Sequence, residues 1–476
     1  DHAAKPDQWN MCNQILIDIV SEDVESPGDT PPSIKGLSTG TVALTTFFNL
    51  LGINKFPKTM HHVLRNLRTL YIVKKTDDEG KTTAVRPIGA RCIISRIFNR
   101  CISYQYRDLL RSIMGINNCA LDIVGCEKIA KAITVVLEAN PQHVLLLPDI
   151  INAFNAIRRK LSLKRLMEAV PQMTPALRYS YQVFAALIES VDQLDDPDSM
   201  GESQTGFTQG DPAASAGFSL NHAKFLMEPL RKFAEAIEAN LSPEEQTFLA
   251  ALCDDTTLAG PPATVVTLYL KLQKMAKEIY NLDFHQGSKC KAYSPARSAR
   301  ELQQVLAEEQ TKAITADPSL AQYAIQFNCT NNDDGITIID KSNGTRSLGV
   351  PIGSDAFKLQ YIQQVWDKTK NDWAKILENV SNKKWRLDML KFGLHARFNH
   401  LFRCIEPRIT SQLAPALDTW FFEQVCIVAG EHWDKEDKEL AAHYFQPMCF
   451  GGSGMGSFVD LIHVAYVASW IDCIFP

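Results

Sequence analysis

Three short segments, in a fixed order, constrain this chain more than anything else in it. Asp149 ends the apolar run VLLLPD, Gln209–Pro212 form a turn in GFTQGDPAAS, and Asp254–Asp255 interrupt an apolar stretch in ALCDDTTLAG. The first segment reads as a buried strand and the third as strand, turn, strand. Carboxylates then stand at the ends of strands whose sides are apolar. Hard carboxylate oxygens on rigid strands are what a close pair of Mg2+ ions requires. Templated nucleotide addition needs such a pair, to activate a 3'-hydroxyl and to neutralise a departing pyrophosphate.

The chain has 476 residues, 45% of them hydrophobic and 22% charged, which suits a soluble globular protein of two or three packed subdomains. No apolar run reaches membrane-spanning length, so no membrane partner is expected. The chain starts at Asp1, and the expectation is a fragment or a processed product. Its 12 cysteines form no CxxC pair and no Cys/His cluster of zinc spacing, which argues for buried thiols in a reducing compartment. The formal charge of -5 argues against a nucleic-acid partner until its distribution is considered. Lys55–Arg111 holds 13 basic and 4 acidic residues, and Lys358–Arg408 holds 11 and 5. The rest of the chain therefore carries about -20. Two basic blocks around an acidic middle fit a protein that grips a phosphate backbone at both ends and holds metal ions between.

The pattern along the chain gives a mixed class, α+β. Residues 1–40 read as a flexible lead-in. YIVKK and AVRPI read as a hairpin, and 93–114 as helix with arginines on its outer face. Pro148 suggests an edge or bulged place for the strand before Asp149. LSLKRLMEAV and TPALRYSYQVFAALIESV read as helices, 213–238 as a long helix, and 262–280 and 300–315 as further helices. GITIID and RSLGVPIG bracket SNGT and read as a hairpin. Residues 355–476 read as mostly helical.

The order of these motifs resembles the palm of a reverse transcriptase, of the non-LTR retrotransposon (LINE-like) type. FPKTMHHVLRNLRTLYIVKK and AVRPIGARCIISRIFNRCI resemble the basic fingers of that lineage. LDFHQGSKCKAY resembles the lysine-bearing segment after the palm hairpin, SLGVPIGSDAF the strand pair beneath the primer end, and LKFGLHARFNHLFRCIEP the thumb. The resemblance spans roughly residues 45–470. It implies a right-hand polymerase fold, with fingers at 41–135, a palm at 136–355 (including finger and palm helices at 160–200), and a helical thumb with a C-terminal extension at 356–476.

The resemblance also implies roles. Asp149 and Asp254 would bridge two Mg2+ ions, helped by the backbone carbonyl of Ile150, with Asp255 as the supporting second acid. Phe154 would lie under the incoming sugar and exclude a 2'-hydroxyl. Gln209 and Gly210 would contact the nucleotide. Lys74, or Lys75 in its place, and Arg86 would reach the triphosphate. Lys289, or its competitor Lys291, would act as general acid near the pyrophosphate. Gly349, Val350 and Gly353 would support the primer end, and Arg397, Arg403 and Arg408 would touch the duplex backbone. The implied partners are an RNA template, a DNA primer or target, and deoxynucleotides, and the implied place is intracellular, at a nuclear site of integration.

Two readings of other classes stand beside this one. A viral-type RNA-dependent RNA polymerase would use a Ser/Thr/Asn set to read the 2'-hydroxyl, for which Thr208, Ser215 and Asn221 exist. The QGDP turn and Phe154 favour deoxynucleotides. A non-catalytic RNA scaffold of the same ancestry would have lost its acids, and this chain keeps all three. The departures from the family pattern are Leu252 and Cys253 before the acids and Pro148 before Asp149, and none of them removes a metal ligand.

Overall fold

The computed structural model describes Phe48 and residues 67–76, 82–181, 185–188, 201–242, 245–329, 334–430, 438–446, 449 and 454–474. The expected lead-in at 1–40 lies outside them. The architecture is α+β, as the sequence pattern requires. The first described elements are β1 (Leu67–Thr76) and β2 (Thr82–Arg91), paired antiparallel as the expected hairpin. Helix α1 (Ile93–Gln105) and helix α2 (Gly125–Ala139) lead to β3 (Val144–Leu147). Helix α3 (Arg159–Ala169) comes next, then β4 (Ala185–Ile188) and β5 (Gly201–Ser203). The first sheet is ordered β2-β1-β4-β5.

The second sheet holds the acids. It is built from β3, β6 (Phe248–Leu252), β7 (Asp255–Gly260), β8 (Gly287–Tyr293), β9 (Phe327–Asn328) and β10 (Ile336–Ile339), in the order β6-β7-β3-β8-β10-β9. Helix α4 (Pro212–His222) continues through a π-turn into a further helix. With α5 (Pro262–Met275) and α6 (Ala299–Ala316) it covers one face, in the cluster that holds Val144, Leu146, Leu258 and Phe218. Helix α2 covers the other face, where Leu145 packs with Ile129, Ile133 and Ala259. Val144 and Leu146 thus face one core and Leu145 the other. That two-sided burial is why β3 reads as an unbroken apolar run.

A separate two-stranded ribbon, β11 (Gly344–Ser347) and β12 (Val350–Gly353), follows. Helices α7 (Asp355–Asn379), α8 (Asn399–Cys404), α9 (Ala414–Ala429) and α10 (Phe458–Ile474) then build a third core around Trp373, Phe398, Phe402, Phe421 and Phe458.

Three local expectations are corrected. Pro148 does not mark an edge strand, because β3 sits inside the sheet between β7 and β8. Its ladder stops at Leu147, opposite Lys291, so the proline's missing N–H costs no bond. The helix expected over TPALRYSYQVFAALIESV ends at Tyr181, and Ala185–Ile188 forms β4 beside β1. GITIID does not pair with RSLGVPIG. Its strand β10 runs parallel to β8, and β11 pairs with β12 through Leu348 and Gly349, both at positive φ (52° and 81°). That turn closes a two-residue hairpin and removes β11 from β10.

Candidate active site

The carboxylates gather because β3 and β7 are sheet neighbours. Asp149 follows the end of β3, and Asp254 and Asp255 sit at the β6–β7 turn, where Leu252 pairs with Asp255. All three line one open cavity of about 620 Å3, along with Ile150, Phe154, Gln209, Lys289 and Lys291.

Backbone bonds fix Asp149. Its carbonyl accepts from His285 N (2.7 Å), and the next residue but one, Ile151, donates to Asp283 O (2.8 Å). These two bonds make the isolated bridge between Ile150 and Phe284, and they turn the Ile150 carbonyl away from that neighbour. The Asp149 N–H donates to Cys290 Sγ (3.3 Å), and that thiol donates to His285 O (2.9 Å). Burial pushes the Cys290 thiol up to about 11, so it stays a neutral link.

The acidic turn is clamped. Cys253 stands at φ 55°, a left-handed conformation that a residue with a side chain adopts only under constraint. Asn118 supplies the constraint. Its Nδ2 donates to Cys253 O (2.8 Å), and its Oδ1 accepts from Cys253 N (3.1 Å). His222 braces Thr256, the residue that follows the two aspartates, through its Oγ1 (Nε2, 3.1 Å) and meets Asn118 Nδ2 with Nδ1 at 3.5 Å. Complete burial lowers the His222 pKa to about 4, so the ring is neutral at physiological pH. Phe218 stacks on His222 (5.8 Å between centroids), and Phe154 stacks on Phe218 (4.9 Å). The half-buried Phe154 is thereby tied to the acidic hairpin by a file of three rings.

The QGDP turn is built by each of its residues. Gly210 has φ 106°, and a Cβ there would stand 2.9 Å from Ile88 Cγ2 and 3.1 Å from Gly89 O. Asp211 caps α4 through Ala213 N (2.9 Å), with Pro212 at the first helical position. The buried Asp211 carboxylate also takes Arg91 Nε (2.6 Å) and Asn99 Nδ2 (3.0 and 3.1 Å). Gln209 O accepts from Gly89 N (2.9 Å), which ties the turn to β2, the strand that carries Arg86.

Electrostatically the cavity is a carboxylate cluster with cations on one wall. Burial first, and then the neighbouring charges of Asp254 and Asp149, together raise the Asp255 pKa to about 6. Lys289 Nζ stands 4.0 Å from Asp149 Oδ2 and donates to His285 Nε2 (2.7 Å). Among the described residues, no three His, Cys, Asp or Glu side chains already enclose an ion-sized space. The donor set is nonetheless all oxygen, which suits Mg2+ rather than a softer ion. The raised proton affinity of Asp255 beside two further carboxylates is what a divalent ion would relieve.

The remaining expected site residues stand elsewhere. Lys74 and Arg86 lie on β1 and β2, with Arg86 opposite Ile72, and their side chains fall outside the description. In the β11–β12 ribbon, Arg346, Ser347 and Leu348 line the cavity, whereas Gly349, Val350 and Gly353 do not. Val350 instead packs in the core under the sheet. The three arginines expected on a duplex are paired within the chain. Arg397 binds Asp372 (2.6 Å), and Arg408 binds Asp355 with both terminal nitrogens. Arg403 joins Glu127 of α2 (2.8 Å) to Asp472 of α10 (2.6 Å) and serves as a tie between elements. Asn118, His222, Arg346 and the Arg91–Asp211 pair escape the sequence reading. Asn118 and His222 carry no sequence signal, because single polar residues in apolar surroundings read as ordinary core.

No protein-family model matches the chain, and no curated protein matches it in sequence. Solved structures do. Apo telomerase from Candida tropicalis, truncated from its C-terminal domain, is 11% identical with a TM-score of 0.30, and the match covers 50% of this chain and 54% of that one. Telomerase from Candida albicans, in complex with a TWJ fragment of telomeric RNA, is 10% identical with a TM-score of 0.34. That match covers 86% of this chain and 67% of the other. The chain thus spans about half the length of the first of these. Both likenesses are loose and concern general α+β architecture, so the functional reading stands on the cavity itself.

Proposed function

We propose that this protein is an RNA-directed DNA polymerase that extends a primer 3'-hydroxyl on an RNA template with deoxynucleotides. The observation that carries the reading is the convergence of Asp149, Asp254 and Asp255 from adjacent strands on one cavity, with Asp255 held near pKa 6 by its surroundings and its two partners. Asp149, Asp254 and the Ile150 carbonyl would hold Mg2+, with Asp255 in support. When bound, the metal supplies Lewis-acid polarisation of the attacking hydroxyl and the departing phosphate.

The chain's own groups do the rest. Asn118 and His222 hold the acidic turn in place, so that positioning is not lost to motion at the moment of reaction. Lys289 lies beside Asp149 and is the better placed of the two lysines to protonate a leaving pyrophosphate. Phe154 presents a braced ring at the cavity wall, which suits a steric test for a 2'-hydroxyl. Asn221, which an RNA polymerase of viral type would use to read that hydroxyl, is committed elsewhere. Its amide donates to Gly217 O (2.8 Å) and Ser162 O (3.1 Å), and its carbonyl accepts from Tyr280 (2.9 Å). This weighs against ribonucleotide synthesis. A non-LTR retroelement as source, priming on nicked target DNA and action in the nucleus complete the proposal; they rest on the motif resemblance.

The test is primer extension on an RNA template with Mg2+, offering dNTPs or NTPs, beside Asp254→Asn. Extension with dNTPs alone, lost in the variant, supports the reading. Extension with NTPs would replace it by an RNA polymerase, and bound RNA without extension by a scaffold.

A further inference from the structure

Arg159 is the first residue of α3 and is 7% exposed. Its guanidinium is spent on one short loop. Nε donates to Gly206 O (2.6 Å), Nη1 to Ser203 O, and Nη2 to Ser203 Oγ and Thr205 O (both 2.7 Å). All four acceptors are neutral oxygens. Among the described residues no carboxylate pairs with Arg159, and burial lowers its pKa to about 10. A cation desolvated against neutral acceptors is a costly way to stabilise a loop. What the guanidinium supplies there is geometry, a rigid fork that holds several oxygens at once.

The loop is laced to the chain that follows Asp149. Phe207 N donates to Phe154 O (2.6 Å), Gly206 N to Ile157 O (2.9 Å), and Thr205 Oγ1 to Asn155 O (2.8 Å). Gly206 stands at φ 60°, and a Cβ there would overlap the Phe154 carbonyl, so the two segments meet backbone to backbone. The same loop runs on to Gln209. Past Gln209 a second arginine holds the chain, since Arg91 binds Asp211. Both guanidiniums lie over the buried Tyr181 ring, Arg91 at 5.2 Å and Arg159 at 5.6 Å, and that ring meets Phe207 edge-on (5.3 Å between centroids). Gln209 and Gly210 are thus framed from both sides, with Phe154 tied to the Arg159 side of the frame.

We propose that Arg159 is a positioning residue for nucleotide selection, which fixes the spacing of Phe154 and Gln209 on the cavity wall through the loop 203–207. It rests on the polymerase reading of the cavity. Arg159 does not itself line the cavity, so it acts through the loop. The carboxylates are held by other bonds, Asp149 by His285 and Cys290 and the acidic turn by Asn118. Loss of Arg159 should therefore change which nucleotide is accepted more than how fast the correct one reacts.

The experiment is primer extension with separate dNTP and NTP series on the wild type, Arg159→Ala, Arg159→Lys and Thr205→Ala, with urea unfolding of each. Arg159→Ala should raise the dNTP KM and lower the preference for dNTP over NTP, each by roughly 10-fold. The dNTP kcat should change little. Arg159→Lys keeps the charge without the fork and should recover little of the preference, whereas added guanidinium ion should recover part of it in Arg159→Ala. Thr205 is exposed, and Thr205→Ala loses only the bond to Asn155, so its preference should fall in the same direction by less. If Arg159→Ala proves unfolded, Thr205→Ala and Ser203→Ala decide by the same criterion. Folded variants with the wild-type preference, or with kcat lowered equally for both nucleotides, would overturn the proposal and leave Arg159 a role in the fold alone. A wild type that extends with neither supply, or that takes NTPs as readily as dNTPs, would instead refute the polymerase reading, and the role of Arg159 in selection would fall with it.

Discussion

Replacing Asn118 by alanine removes the clamp on the acidic turn. The substitution deletes two hydrogen bonds to Cys253, at 2.8 and 3.1 Å, and a third from Ala120 N at 3.1 Å. Asn118 is 2% exposed, so water does not readily replace it. A hydrogen bond of this kind contributes about 0.5–1.5 kcal/mol net, so losing three should cost the variant about 2–4 kcal/mol in urea unfolding. The turn also holds Cys253 at φ 55°, which costs a residue with a Cβ about 1 kcal/mol. Released from the clamp, Cys253 should relax and carry Asp254 with it. A displacement of 1 Å at a reacting group lowers the rate on the order of 100-fold. Cys253→Gly removes the φ penalty and should recover about 1 kcal/mol of stability and part of the rate in the Asn118→Ala background. The assay pairs urea unfolding with single-turnover primer extension. A variant that loses the stability but keeps the full rate would refute the reasoning, because Asp254 would then be placed without Asn118.

Other outcomes follow from the same geometry. Phe154→Val should admit ribonucleotides, raising NTP over dNTP use by on the order of 10–100-fold in competition assays; unchanged discrimination would remove the ring from that role. Asp255 has a folded pKa near 6, above its unfolded value, so it favours folding less as pH rises through the interval from about 4 to about 6. The metal-free wild type should therefore lose thermal stability across that interval relative to Asp255→Asn, and parallel melting curves would contradict the raised pKa. Adding Mg2+ at pH 7.5 should raise the wild-type Tm more than that of Asp254→Asn. Asp211→Ala strands buried Arg91 and should cost about 3–5 kcal/mol, read by urea unfolding.

The acids, the QGDP turn and most helices and strands were legible in the sequence because each is a local event. Apolar runs of strand length, a glycine at a positive-φ turn and an Asp–Pro helix start are set within a few residues. The pairing of GITIID was not legible. Its partner depends on which edge of the sheet is open, and the tight Leu348–Gly349 turn gives β11 a nearer partner. The arginines of the last basic block were legible as charge but not as ion pairs. Arg403 meets Glu127 across 276 residues of chain, a distance no local pattern encodes.

The sequence alone determined the order of the carboxylates and the strands that carry them, since strand formation and hard-oxygen chemistry depend on residue type and spacing. Tertiary structure decided which cations face those carboxylates. Lys289 and Lys291 are nearly equivalent as sequence. Only the packing of Asp149 against one and Arg346 against the other gives them different surroundings, because electrostatic energy depends on separation in space.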